Sequence, residues 1–281
     1  MNQRTAIVTG GLRGLGRAMA LGLAREGHRV AAVGHIAEDV EAMRVDADAK
    51  PFLDRLLLLA ADLRQPAECD RVIAETAKRF GRVDILVNNA GVTFTYIAPD
   101  RFRRPSPPKF WEISDEIVQT TMDTNFVAAD RLARRLAPQL IEQGWGRIVN
   151  VTTKLTTMNM PGASPYGPSK AALEMATEVW AKEVAGTGLT VNIVNPGAGA
   201  NTPGMAQEMR DASREGRAAR LVEPDEMVPP LLWVVSPAAD KVNGWRFDAN
   251  AWDRKLDPAA AARAAGRPAG LVTHAPAEGP V

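Results

Sequence analysis

In the stretch "YGPSKAALE", Tyr166 and Lys170 lie four residues apart, so on a helix they share one face, about one turn from each other. A phenol of ordinary pKa, about 10, is a poor base at neutral pH. A neighbouring ammonium favours the phenolate and brings the group towards a useful value, so the pair reads as a proton donor and acceptor. Tyrosine is scarce, with only Tyr96 and Tyr166 among 281 residues. Any helix can carry a Tyr and a Lys at this spacing, however, and the pair gains weight from a second chemical feature near the start of the chain.

That feature is "VTGGLRGLGRAMA", which sets Thr9, Gly10, Arg13, Gly14, Leu15 and Gly16 on the turn that opens the first helix. Glycines there permit unusual φ angles and let backbone N–H groups approach a pyrophosphate at the positive end of the helix dipole. The TGxxxGxG spacing differs from the GxGxxG dinucleotide fingerprint, but its place at the first strand-to-helix turn supports the same use. NAD sites usually carry an Asp or Glu at the end of the second strand, about 20 residues past the glycines, to accept hydrogen bonds from the ribose 2′-hydroxyl. This chain has Gly34 there, followed by His35, while Arg13 sits inside the glycine turn. An anionic 2′-phosphate would meet a cation and no resident carboxylate, which predicts NADP(H) as the preferred cofactor and leaves NAD(H) possible.

The elements that must position these groups alternate. Short β-branched or apolar runs recur at 5–9, 29–33, 56–60, 83–87, 147–151 and 189–194, with a last one at 244–249. Helical patterns at 14–26, 66–79, 114–143 and 165–185 are long enough to return the chain parallel to the previous strand. Such alternation predicts an α/β fold with a single doubly wound parallel sheet of about seven strands and helices on both faces. One catalytic domain is expected over 1–252, interrupted by a Pro-, Arg- and aromatic-rich insert at 93–112. From Asp253 a C-terminal extension runs to 281, expected to be partly flexible or to pack on a neighbouring subunit.

Composition narrows the partners. With 34 basic and 33 acidic side chains the net charge is +1, so no global field draws nucleic acid or an anionic membrane. The longest apolar run, "LLLLAA", falls far short of the roughly 20 residues a spanning helix needs. The lone Cys69 forms no internal disulfide and no signal sequence precedes "TAIVTG", from which a cytoplasmic location is expected. No metal site is expected.

With "TGGLRGLG", "NNAG" at 88–91, Asn125 in "DTNF", "YGPSK" at 166–170 and "NPG" at 195–197 in this order, the chain resembles the short-chain dehydrogenase/reductase family over about residues 4–250. The resemblance implies a Rossmann-type sheet of seven strands, a nicotinamide cofactor and a homodimer or homotetramer. It implies that Asp62 and Leu63 sit beside the adenine, that Asn89, Ala90 and Gly91 line the cofactor cleft, and that Pro196 and Gly197 border it. Tyr166 would donate a proton to a ketone oxygen, or accept one from a secondary alcohol, as hydride passes to or from nicotinamide. Lys170 would hold the nicotinamide ribose and bias the phenol, and the main chain at Asn125 would hold a water that connects Lys170 to solvent.

The family's substrate-holding serine stands thirteen residues before the tyrosine, where this chain has Thr153. Threonine keeps the hydroxyl donor and adds a methyl that restricts χ1, so the role survives in a tighter pocket. Ser164 and Ser169 read as helix-start and helix-face residues. Thr202 stands five residues past Gly197 rather than the family's usual four, as the partner of the carboxamide, and "FDANAWD" replaces a glycine-ended turn. The insert, the segment 154–160 and the Met205 and Met209 region are expected to wall the substrate, with Arg101, Arg103 and Arg104 read as solvated charges. Two classes of function are then open: an NADP-dependent alcohol/ketone oxidoreductase, and a dinucleotide-binding sensor or scaffold on the same fold. The set of Tyr166, Lys170 and Asn125 favours the enzyme, because a sensor has no use for a proton relay.

Overall fold

The computed structural model describes residues 3–101 and 103–271. Eight strands, β1 (Thr5–Thr9), β2 (Arg29–Gly34), β3 (Leu56–Ala60), β4 (Ile85–Asn88), β5 (Gly146–Asn150), β6 (Leu189–Asn195), β7 (Trp245–Asp248) and β8 (Gly266–Pro268), form one sheet in the order β3-β2-β1-β4-β5-β6-β7-β8. All neighbours are parallel except β7 and β8. The helices are α1 (Gly14–Arg25), α2 (Ala37–Val45), α3 (Pro66–Phe80), α4 (Phe94–Ile97), α5 (Asp115–Met122), α6 (Ala128–Glu142), α7 (Leu155–Met158), α8 (Tyr166–Glu183), α9 (Gln207–Arg214), α10 (Val228–Val234) and α11 (Pro258–Ala265). Among the described residues no helix is long and apolar enough to cross a membrane.

Both faces of the sheet are covered, which is why its central strands read as continuous apolar runs. Successive side chains of β1 go to opposite cores, as a period of two requires. Ala6 and Val8 pack with Met19 and Leu23 of α1, Leu231 and Val234 of α10 and Ala261 of α11. Ile7 packs with Val72 of α3, Leu132 and Leu136 of α6 and Ala181 of α8. Strand order reverses between β1 and β4, so the carboxyl ends of those strands diverge and leave a crevice for ligand.

Two expectations change. The sheet has eight strands rather than about seven, because the described part of the extension folds as α11 and β8, and β8 pairs antiparallel with β7 (Arg246 opposite Arg267, Phe247 opposite Gly266). Asp257 caps α11 by accepting from the Ala259 and Ala260 amides, and Gly266 is needed because a Cβ there would stand 2.6 Å from the Phe247 ring. Residues 272–281 of the expected extension lie outside the described residues. The long helix expected over 114–143 is α5 and α6 joined by a π turn, Asp123–Val127, in which the Ala128 amide reaches back to the Asp123 carbonyl.

Candidate active site

The cleft begins at the glycine turn between β1 and α1. Gly10 and Gly14 have φ of 63° and 55°, the left-handed region that side chains avoid. A Cβ on Gly16 would stand 2.0 Å from the Gly10 carbonyl oxygen, so only glycine lets the turn close against the start of α1. The turn is tied to the end of β4 by Thr9, whose hydroxyl accepts from the amides of Asn89 and Ala90, both at 2.9 Å. Asn89 answers with its amide nitrogen, which donates to the Thr9 carbonyl at 2.9 Å. Thr9 and Gly16 are thus buried struts, and Asn89 is both strut and wall.

A cavity of about 570 Å³ follows, lined by Gly10, Arg13, Gly14, Leu15, His35, Asp62, Leu63, Asn89, Ala90, Gly91 and Thr202 among the residues singled out from sequence. Pro196 and Gly197 do not line it; they follow the carboxyl end of β6, where the Asn195 side chain accepts from the Gly197 amide at 2.7 Å. An α-helix N-terminus with a cradle that any Cβ would fill suits the pyrophosphate of a dinucleotide, and the residues present fit such a cofactor. Thr202 stands across from Gly14, its side-chain carbons 3.5 Å from where a Gly14 Cβ would be, so it faces the glycine turn.

Gly34 ends β2 as expected, but the cleft does hold carboxylates. Asp39, in the first turn of α2, lines it and pairs with Arg13 at 3.6 Å. The α2 helix starts three residues after β2 and turns residue 39 back to the crevice, which inspection of the strand end alone misses. Asp62 is held by a forked contact with Arg64, at 2.9 Å to Nε and 2.8 Å to Nη2, and this places its carboxyl below the ordinary range. Two guanidiniums, each on an acid, therefore flank this end of the cleft.

Tyr166 and Lys170, on α8, do not line this cavity; Lys170 Nζ borders it at Gly91, 3.3 Å from where a Cβ on that glycine would be. Burial pushes the Tyr166 phenol above its ordinary value, and a hydrogen bond with the Thr153 side chain opposes that push. Thr153, on the loop after β5, thus stands beside the phenol. The phenol is thus held up by burial and not, as the spacing led one to expect, brought down by the Lys170 ammonium. Spacing sets the two one turn apart but does not say where Nζ points: it donates to the Val151 carbonyl at 2.9 Å. Lys170 is 4% exposed, and burial lowers its pKa to about 8. Asn125 sits in the π turn, fully buried. Its side chain accepts from the Val92 amide at 2.8 Å and donates to the Val92 carbonyl and to Ser169 Oγ, at 3.1 and 2.9 Å. Asn125 therefore pins the start of the insert to α8.

The insert folds over Tyr166. Thr93 and Thr95 both donate to the Gly204 carbonyl, at 2.7 and 2.8 Å, which ties the insert to the segment after Gly197 across the cleft. Phe94 packs on Tyr166 with ring centroids 4.7 Å apart, and the Arg101 guanidinium lies over Phe94 at 4.1 Å. Arg101 also donates to the Gly162 carbonyl at 2.5 Å. It is therefore a half-buried clamp between insert and substrate loop, not the solvated charge expected, while Arg103 and Arg104 stay exposed beside Glu208 and Asp100. Asp39, Arg64, Thr93, Thr95 and Phe94 were not marked from sequence. Only their place after a strand end or within the insert pointed to them.

Three comparisons bear on this geometry. The family model for short chain dehydrogenase matches residues 4–213. The 3-oxoacyl-(acyl-carrier-protein) reductase FabG of Staphylococcus epidermidis is 30% identical over 250 residues, 88% of this chain and 97% of that protein. Among solved structures, the 3-ketoacyl-(acyl-carrier-protein) reductase from Brucella melitensis complexed with NADH matches with a TM-score of 0.73 and 26% identity, over 87% of this chain and 96% of that one. A single-residue variant of the actinorhodin polyketide ketoreductase, with NADPH, matches with a TM-score of 0.71 and 27% identity, over 86% and 94%. The chain belongs to the short-chain dehydrogenase/reductase family.

Proposed function

We propose that this protein is an NADP(H)-dependent oxidoreductase that interconverts a secondary alcohol and a ketone by hydride transfer, with Tyr166 as general acid/base. The observation that carries the reading is that Tyr166 stands beside Thr153 on the helix whose Lys170 Nζ reaches the cofactor cavity at Gly91, 3.3 Å from where a Cβ on that glycine would be. When bound, the nicotinamide dinucleotide supplies or takes up the hydride. The chain does the rest. In reduction the Thr153 hydroxyl donates to the ketone oxygen and fixes it beside the phenol, and Tyr166 gives that oxygen its proton. A phenol whose pKa is raised by burial is protonated at neutral pH, which suits the direction of reduction. Lys170, mostly protonated at pH 7 with a pKa of about 8, holds the nicotinamide ribose hydroxyls. Asn125, with the π turn it sits in, keeps a path for water to Lys170. Phe94 shields the phenol from bulk water.

Preference for NADP(H) over NAD(H) rests on Gly34 in place of an acid at the end of β2 and on Arg13 and Arg64, whose guanidiniums would turn from Asp39 and Asp62 to a 2′-phosphate. Relatives named for ketoacyl and polyketide ketone reduction, seen with NADH and with NADPH, support carbonyl chemistry and both cofactors. The family resemblance carries the expectation of a homodimer or homotetramer, which sedimentation checks. The reading is tested by following reduced-nicotinamide absorbance with a panel of ketones and alcohols. Turnover is expected, with kcat/KM higher for NADPH than for NADH. Tight cofactor binding without turnover across a broad panel would refute the enzyme, and a clear NADH preference the cofactor assignment.

A further inference from the structure

Behind the catalytic hydroxyl lies an ion pair that the reaction chemistry does not call for. Arg246 on β7 and Glu174 on α8 are both wholly buried, and Nη1 meets the carboxylate at 2.6 Å. The same nitrogen donates to Thr152 Oγ1 at 2.9 Å, and Thr152 in turn donates to Glu174 at 2.8 Å. Arg246 Nη2 donates to the backbone carbonyl of Thr153 at 2.7 Å, and Nε to Asp248 at 3.0 Å. Asp248 accepts from the Asn195 side chain, whose oxygen holds the Gly197 amide. One guanidinium thereby spends its fork on the loop that carries Thr153, on the helix that carries Tyr166 and Lys170, and, through Asp248, on the end of β6. The extension closes over the pair, with the Gly270 amide 3.4 Å from Glu174 Oε1.

A buried ion pair is weak evidence for stability, since apolar residues of similar volume often replace one at no loss or with a gain. What an apolar pair cannot reproduce is a directional donor on a particular carbonyl. From this we infer that Arg246, oriented by Glu174, is a positioning residue that fixes the Thr153 backbone and so holds its hydroxyl in register with Tyr166. The inference rests on the oxidoreductase reading above. Arg246 touches neither substrate nor cofactor in this role; it acts through Thr153.

The test replaces the pair by Arg246→Met/Glu174→Leu in the full chain. Melting temperature and cofactor Kd should stay near those of the wild type, while kcat falls about 10- to 100-fold and KM changes little. Amide hydrogen exchange around Thr153 should speed up while β1 and β4 keep their protection. In a Thr153→Ala background the same double change should cost almost nothing further, because groups that act through one another are not additive. Should the double variant fail to fold, Arg246→Lys retains the charge with a single donor head and should show the same loss of kcat in a folded protein. A folded double variant, or Arg246→Lys should that one not fold, with wild-type kcat would overturn the inference. So would a full additional loss in the Thr153→Ala background. Wild-type protein that turns over no carbonyl counts against the oxidoreductase reading alone, and the exchange experiment still decides whether Arg246 anchors Thr153: unchanged exchange refutes the anchor.

Discussion

Lys170 is the residue whose burial has the most measurable consequence. The residue is 4% exposed, its ammonium donates to the Val151 carbonyl, and burial takes its pKa to about 8 against an ordinary 10.5. The folded state therefore disfavours the charged form. Between pH 8 and 10.5 the unfolded chain binds more protons than the folded one, so stability rises with pH across that window. The contribution is fully present above the unfolded value and is lost as pH falls through about 8. A displacement of this size corresponds to about 3 kcal/mol, of which about 2 kcal/mol should be gained between about pH 7 and about pH 9.5. Lys170→Met removes the titrating group and keeps the length of the side chain. Urea denaturation of both proteins across this range, without cofactor, should show the wild type gaining on the variant as pH rises. Parallel curves would refute the reasoning, since they would mean that Lys170 is solvated or paired in the folded protein.

Three further outcomes are expected. Thr153→Ala should lower kcat about 100-fold, the size found when one donor to a developing oxyanion is removed, while Thr153→Ser stays within a few-fold; steady-state kinetics of both variants decides this. Gly34→Asp sets a carboxylate at the end of β2, where its Cβ presses on the Leu12 side chain, 2.9 Å from Cδ1 and 3.2 Å from Cγ, and should move the NADPH/NADH ratio of kcat/KM at least about tenfold towards NADH. Arg101→Ala releases the insert from Phe94 and Gly162 and should raise KM about 3- to 10-fold with kcat largely kept, a split that points to loss of uniform binding rather than of chemistry.

The sheet was legible because its strands are buried on both faces and written in unbroken apolar runs; β1 and β3 match their expected bounds residue for residue. The turn chemistry was equally local, since Gly10, Gly14 and Gly16 answer to backbone needs within a few residues of one another. What sequence did not disclose depends on contacts far apart in the chain. Strand β8 hides in a Pro/Gly-rich segment, and its pairing depends on Phe247 lying under Gly266. Arg246 and Glu174 lie 72 residues apart, on a strand and a helix that each looked ordinary. Asp39 is not legible at the strand end because it reaches the cleft from the first turn of α2. The direction of Lys170 Nζ, towards Val151, follows from packing against β5 and not from a spacing of four.

Tyr166 is the proposed proton donor. Single-turnover oxidation of bound NADPH by a ketone that the wild type reduces, measured in Tyr166→Phe by stopped-flow absorbance, tests this role most directly. Tyr166→Phe keeps the ring that packs on Phe94 and removes only the hydroxyl, so cofactor and substrate should still bind while the rate of the chemical step falls by about 100-fold or more. A variant that turns over at the wild-type rate would contradict the account.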